Sequence, residues 1–268
     1  MDVGVTRLHG VRETMLMTLY GRALDARAET SILGDHFASQ AIDSLYRKVP
    51  LKLRLAAADR YVIALRAKRL DGWAREFLSA NPDAVVLHLG CGLDSRVHRI
   101  DPPTTVDWFD LDFPEIIDIR ENLYPTRKSY RAIAASATDS EWLAELPVGR
   151  PLLMIAEGLF MYLPKSEVKA LLHRLTDRYS RGQMLFDVVT PLIYRLAGVS
   201  EYRLRWGLDD PHEIERWNPN ISLMDDAPVL ADYSQISDGR YRVLYRILNM
   251  AGAFRNTIRP LRFTFGRR

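Results

Sequence analysis

The chain has 268 residues, is 47% hydrophobic and 26% charged, and carries a formal net charge of +3. That length and apolar share suffice for a full core in one domain and exclude a collagen-like, coiled-coil or largely disordered chain. The small net charge gives no argument for a nucleic-acid partner.

The first ten residues hold charges and a glycine but no apolar run of signal-peptide length, and no later run reaches the length of a membrane span. The expectation is a cytoplasmic protein without a membrane partner. One cysteine, Cys91, excludes an internal disulfide framework, and six scattered histidines lack metal-ligand spacing, so no metal is expected. Nothing in the composition sets the oligomeric state.

Residues 1–80 read as a helical preface. Residues 12–26 lack proline, 41–47 repeat apolar positions at three and four, and 51–78 set Leu55, Val62, Leu65, Leu70, Trp73 and Phe77 along a helical stripe. Asn81-Pro82-Asp83 ends that pattern, because the residue before proline leaves the α region. Apolar, β-rich runs then alternate with helical stretches. The runs are 85–89, 106–111, 130–134, 152–156 and 185–189; the helices are 114–123, 140–146 and 166–179, with Ser166 as cap of the last. Such alternation predicts an α/β fold, a doubly wound and mostly parallel sheet covered on both faces.

After Pro191 the alternation gives way to a polar and aromatic segment, 194–220, placed where a lid or acceptor-recognition region would follow the fifth strand. A helix is predicted from Ser222 and a pair of strands near 241–248 and 261–265. The implied division is one domain, 1–268: a helical region at 1–80, a core at 83–190, a lid or recognition segment at 191–235 and C-terminal strands at 236–268. From Arg240 onward the chain holds many arginines and no acid, read as a solvated strand face, or alternatively as an attractor of an anionic partner.

In a doubly wound sheet, ligands lie beyond the carboxyl ends of the strands. The first run ends in His88-Leu89-Gly90-Cys91-Gly92-Leu93-Asp94-Ser95-Arg96, where Gly90 and Gly92 let backbone approach a ligand. A dinucleotide fingerprint wants a third small residue, where Ser95 stands, and Asp94 would repel a pyrophosphate yet suit a sulfonium and an ammonium. Asp112 follows the glycines by about twenty residues, the spacing of a ribose-binding acid. Glu157 ends the fourth run, where an unpaired acid is costly. Any one of these acids could instead cap the following helix; together they point from NAD to S-adenosylmethionine.

Across roughly residues 14–189 the chain resembles the leucine carboxyl methyltransferase-like family, a group that includes polyketide O-methyltransferases of the tetracenomycin type. The motifs that carry the resemblance are Arg22-Ala23-Leu24-Asp25, Leu33-Gly34-Asp35, Leu65-Arg66 through Asp71, the glycine turn, Asp110-Leu111-Asp112-Phe113-Pro114-Glu115, and Ala156-Glu157-Gly158-Leu159-Phe160-Met161-Tyr162-Leu163-Pro164. The resemblance implies the Rossmann-like fold of class I S-adenosylmethionine methyltransferases. It also implies a donor site in which Arg22 and Arg66 bind the carboxylate end, Gly90 packs against it, Asp112 takes the ribose, Glu157 stands close by and Ser136 contacts adenine. Ser136 departs from the usual aspartate, and Asp35-His36 from the usual Asp-Pro. Cys91 is read as a packing residue, and Tyr162 as facing the donor methyl, with covering the sheet as the alternative.

The expected acceptor is a small natural-product-like acid. A carboxylate is ionised at neutral pH and needs no general base, and the sequence offers no evident His-acid pair, although His36 or His212 could serve. Open alternatives are a phenol or alcohol, the C-terminal carboxylate of a protein, an NAD-dependent oxidoreductase, and an inactive binding module.

Overall fold

The computed structural model describes residues 11–45, 54, 60–197 and 204–266. Helices α1 (Val11–Ala26), α2 (His36–Leu45) and α3 (Arg60–Ala80) precede the sheet. Residues 46–53 and 55–59, within the predicted helical stretches, lie outside the described residues. Strands β1 (Val85–Leu89), β2 (Asp107–Asp112), β3 (Tyr130–Ala134), β4 (Leu152–Ala156) and β5 (Arg181–Val189) follow, separated by α4 (Arg96–Ile100), α5 (Pro114–Leu123), a 3₁₀ turn at Glu141–Glu145 and α6 (Lys165–Arg178). Next come α7 (Pro191–Ala197), α8 (His212–Trp217), β6 (Ile221–Asp226), α9 (Gly239–Met250), α10 (Gly252–Arg255) and β7 (Ile258–Gly266).

These strands form a seven-stranded sheet in the order β3-β2-β1-β4-β5-β7-β6. The first five strands are parallel, β7 runs antiparallel to β5, and β6, antiparallel to β7, returns to the direction of the first five. Every side chain of β1 and β4 is buried, which is why both read as unbroken apolar runs rather than alternating ones. On one face Val85, Leu87 and Leu89 pack with α6 residues Val168, Leu171 and Leu175. On the other, Val86 meets Leu70, Trp73 and Phe77 of α3. The chain winds outward from β1 through β2 to β3, then returns to β4 on the opposite side. The crevice between the ends of β1 and β4 is therefore the switch point of the fold.

Two elements differ from the sequence expectation. Residues from Ser222 form strand β6, because Ile221 and Leu223 turn inward while Ser222 and Met224 are exposed, and β7 pairs alongside. Residues 241–248 form helix α9, not a strand. Tyr241, Tyr245 and Leu248 recur at four and three and pack in one cluster with Tyr61 and Leu65 of α3. Asp238 caps the helix, its carboxylate accepting from the backbone N–H groups of Arg240 and Tyr241. The tyrosines and branched residues of this stretch favour strand by propensity, and burial against α3 overrides them. The 236–268 segment is thus helix followed by strand.

Smaller corrections follow the same logic. Helix α6 starts after Pro164 without a side-chain cap, so Ser166 lies inside it, and 140–146 closes as a 3₁₀ turn. In the 191–235 segment, Trp206 is buried, donates Nε1–H to the Phe160 carbonyl at 2.8 Å and packs against Trp217 at 5.8 Å between ring centres. Those two aromatics form a packed layer over β4 and β5. Tyr202, another aromatic of the 194–220 segment, lies outside the described residues.

Candidate active site

The turn after β1 requires glycine for a physical reason. Gly90 and Gly92 hold φ of +59° and +50°, in the left-handed region that a Cβ disfavours, and a Cβ on Gly90 would sit 2.9 Å from Leu159 Cδ1. The Gly92 N–H donates to Asp112 Oδ2 at 2.7 Å and the Phe113 N–H to Oδ1 at 2.8 Å. Asp112 therefore fastens the end of β2 to the glycine turn. Burial pushes its carboxyl up despite these bonds.

Beyond the strand ends lies a cavity of about 330 Å³. Arg22, Arg66, Gly90, Gly92, Asp94, Asp112, Glu157 and Tyr162 all line it. Ser136 does not line it: its hydroxyl is turned onto Thr138 at 2.8 Å and its carbonyl accepts from Trp142 Nε1 at 3.1 Å. His36 and His212 are also absent from the wall. His212 is exposed and pairs with Glu215.

The largest unpredicted feature is a buried chain of ion pairs behind and along this wall. Asp35 meets Arg99 at 2.8 Å, Arg99 and Arg96 both meet Asp71 at 2.6 and 2.8 Å, Arg96 pairs with Glu157, and Arg66 bridges Glu157 and Asp187 at 3.0 Å each. Asp94 lies on the wall but is held by Arg99 at 3.0 Å and Arg96 at 3.3 Å, so its charge is answered by the chain itself. Burial opposes ionisation of Asp94, but Arg96, Arg22 and Arg99 outweigh it and keep the carboxyl well below its usual range. Glu157 is likewise held low against burial, by Arg66 and Arg96. Asp187 differs, since burial wins over Arg66 and raises its carboxyl.

Sequence signals for this network were present. Arg96 opens α4, where the helix dipole disfavours a cation, so it needs a specific anionic partner. Asp187 interrupts the apolar run of β5, the same anomaly that marked Glu157. His88 interrupts β1; it lines the cavity and stands 3.0 Å from Asp110.

Asp110 anchors a second buried cluster, accepting from His88 and Trp108 on Oδ1 and from Tyr130 and Arg120 on Oδ2. Burial alone would raise its carboxyl, but Arg120 and the hydrogen bonds lower it from the ordinary 3.8 to about 2. A depressed folded-state pKa gives stability that is complete above the unfolded value and lost as pH falls through the folded one. Chemical unfolding of the wild type should therefore lose about 2 kcal/mol from this group between roughly pH 4 and pH 2. Asp110→Asn should flatten that limb; parallel acid limbs for the two proteins would contradict the assignment.

Comparison with known proteins bears on this site. A family model described as leucine carboxyl methyltransferase matches residues 15–176. The chain belongs to the leucine carboxyl methyltransferase family. It is 41% identical over 240 residues, 84% of this chain and 87% of the relative, to the tetracenomycin polyketide synthesis O-methyltransferase TcmP of Streptomyces glaucescens. It is 31% identical over 264 residues, 89% of each chain, to the S-adenosyl-L-methionine-dependent methyltransferase dpfgK of Gibberella zeae. A solved N-methyltransferase, NodS from Bradyrhizobium japonicum in complex with S-adenosyl-L-homocysteine, superposes with a TM-score of 0.52 at 11% identity, covering 85% of this chain and 100% of that one. The fold is the Rossmann-like fold of class I S-adenosylmethionine methyltransferases, and this family member is a methyltransferase, which sets aside the oxidoreductase alternative.

The wall fits S-adenosylmethionine on its own chemistry. With the ion-paired residues behind the wall counted, Asp35, Asp71, Asp94, Asp112, Glu157 and Asp187 outnumber Arg22, Arg66, Arg96 and Arg99 by six to four, so the surroundings of the cavity are net negative. A pyrophosphate would be repelled there, whereas a ligand carrying a sulfonium and an ammonium is matched. Arg22 Nε is buried with no hydrogen-bond partner, and its nearest acid, Asp35, stands at 3.5 Å. The guanidinium donors that Arg22 does not give to Leu93 and Asp35 suit the one carboxylate of such a donor.

Proposed function

We propose that this methyltransferase transfers a methyl group from S-adenosylmethionine to a carboxylate of a small, largely apolar, natural-product-like acceptor, giving a methyl ester. When bound, S-adenosylmethionine supplies an alkyl group already activated by a sulfonium, so the chain has to align the two reactants and exclude water. Arg22 and Arg66 hold the donor's carboxylate through guanidinium donors left over from their own ion pairs. Asp94 and Glu157 add to the surplus of acids over arginines that suits the donor's cationic end, Asp112 accepts from ribose hydroxyls, and Gly90 and Gly92 let the backbone close in. Tyr162 stands on the methyl side.

The acceptor side is the other end of the cavity, toward β5 and β7, where Val62, Val189, Leu204 and Ile258 line it. The 191–235 segment contributes Leu204 and serves as its recognition wall. One observation supports a carboxylate over a hydroxyl. Every carboxylate on the wall already has a partner: Asp94 with Arg96 and Arg99, Glu157 with Arg66 and Arg96, Asp187 with Arg66, Asp112 with two backbone N–H groups; His88 does form a His-acid pair that the sequence did not show, with Asp110 on Nδ1, but its Nε2 is already met by Arg96 Nη1 at 3.4 Å. Tyr162 is engaged as well, and burial pushes the Cys91 thiol up. None is poised to take a proton from a phenol or alcohol, and an ionised carboxylate needs none. The family's own description names a carboxyl acceptor, and the tetracenomycin relative acts in polyketide synthesis.

The test is incubation with methyl-labelled S-adenosylmethionine and a panel of aromatic acids and their hydroxylated analogues, followed by mild base. Release of the label as methanol is the expected result. Base-stable label would assign an ether and a hydroxyl acceptor, and label retained on precipitated protein would assign a protein tail.

A further inference from the structure

Helix α9 has two apolar faces. Tyr241, Tyr245 and Leu248 turn inward and join Tyr61, Leu65 and Ile258 in one cluster. Val243, Ile247 and Met250 recur at four and three on the outer side and are 57%, 59% and 77% exposed, with Leu244 beside them and Phe254 following on α10. A fold needs one covered stripe per helix; a second, open stripe of this size marks a contact surface. Beyond the capping Asp238, its surroundings are basic. Arg240, Arg242, Arg246 and Arg255 are exposed around it, and residues 239–268 contain no acid.

We propose that this ridge is a docking face for an anionic phospholipid surface. Charge complementarity and shape choose among the possible occupants. A second copy laid face to face would oppose two arginine-rich, acid-free ridges. An acidic protein helix needs a groove to lie in, and this face is the outer side of a single helix. A planar, negatively charged lipid surface takes a convex apolar ridge at the acyl boundary while flanking arginines reach the headgroups. Among the described residues no helix is long and apolar enough to cross a membrane, so the contact is peripheral. The sequence expectation of no membrane partner rested on span length, a criterion blind to a helix lying on a surface. Position adds a reason for the device: Ile258, in the cluster under the inner face, also lines the catalytic cavity. A lipophilic acceptor held at the membrane would meet the enzyme beside its apolar wall.

The experiment is co-sedimentation of the full chain with phosphatidylcholine vesicles, with and without phosphatidylglycerol. Binding is expected only to the anionic vesicles. Arg242→Gln/Arg246→Gln should weaken partitioning roughly 30-fold, at about fivefold per arginine. Ile247→Glu/Met250→Glu should abolish it while leaving the thermal midpoint and S-adenosylhomocysteine affinity unchanged, which separates this claim from that of the catalytic site. No binding to anionic vesicles, or undiminished binding by the glutamate variant, overturns the proposal. So does a doubling of molecular mass that the glutamate variant abolishes in the absence of lipid binding, which would assign the ridge to a second copy.

Discussion

Arg66→Ala is expected to weaken S-adenosylmethionine binding by roughly 100-fold or more, the scale set by removing one partner of a buried, hydrogen-bonded charge pair. The side chain does two things at once. Its guanidinium, only 11% exposed, holds Glu157 and Asp187 at 3.0 Å, and it lies on the wall where the donor's carboxylate is proposed to sit. Without it, Glu157 and Asp187 would be left with less positive charge, and the carboxyl of Asp187, already raised by burial, would move toward protonation. Arg66→Lys keeps the charge but not the fork that spans two acids and a third ligand, so it should recover only part of the loss. Calorimetric titration of both variants reads this directly. An alanine variant that binds within about fivefold of wild type, well under the 1.4 kcal/mol of a tenfold change, would leave Arg66 a structural residue only.

Arg96→Met should cost about 3–5 kcal/mol of folding stability, since it strands buried carboxylates rather than removing a balanced pair. The Arg96 side chain is fully buried and touches Asp71, Asp94 and Glu157, which are themselves at most 7% exposed. Methionine replaces much of the volume, so the loss isolates charge from packing. Chemical unfolding at neutral pH measures it, and adding Glu157→Gln to Arg96→Met should return part of the loss. A single-variant cost under about 1 kcal/mol would mean that protonation or water relieves the site, and that the network is not the scaffold of the cavity.

The parts of the fold that the sequence revealed are those where a local rule and the tertiary environment agree. The run 85–89 is apolar throughout because β1 is central and covered on both faces, and α5 starts at Pro114, where a missing N–H costs nothing. Gly90 and Gly92 announced the turn because only glycine sits easily at its positive φ. Where propensity and packing disagree, the sequence misled: Tyr241 and Tyr245 favour strand in isolation but fill a gap over α3 as a helix. Asp94, Asp112 and Glu157, on the cavity wall, were legible one by one at or near strand ends. Their partners were not, since Arg96 and Arg99 reach Asp71 and Asp35 across 25 to 64 positions of chain that no spacing rule links. Asp94 accordingly turned out to be answered from within. Ser136 was placed by resemblance alone, and the loop after β3 folds its hydroxyl back on itself.

The crevice between β1 and β4 is the proposed donor site, with Asp112 on its wall. Calorimetric titration of S-adenosylhomocysteine into wild type and Asp112→Ala, with NAD as the control ligand, decides it. Wild type should bind one equivalent and give no heat with NAD, and Asp112→Ala should bind at least about tenfold more weakly, the cost of lost hydrogen bonds to a charged acceptor. Equal affinity of the two proteins at an unchanged unfolding midpoint, or binding of NAD in competition with S-adenosylhomocysteine, would rule out a donor site there.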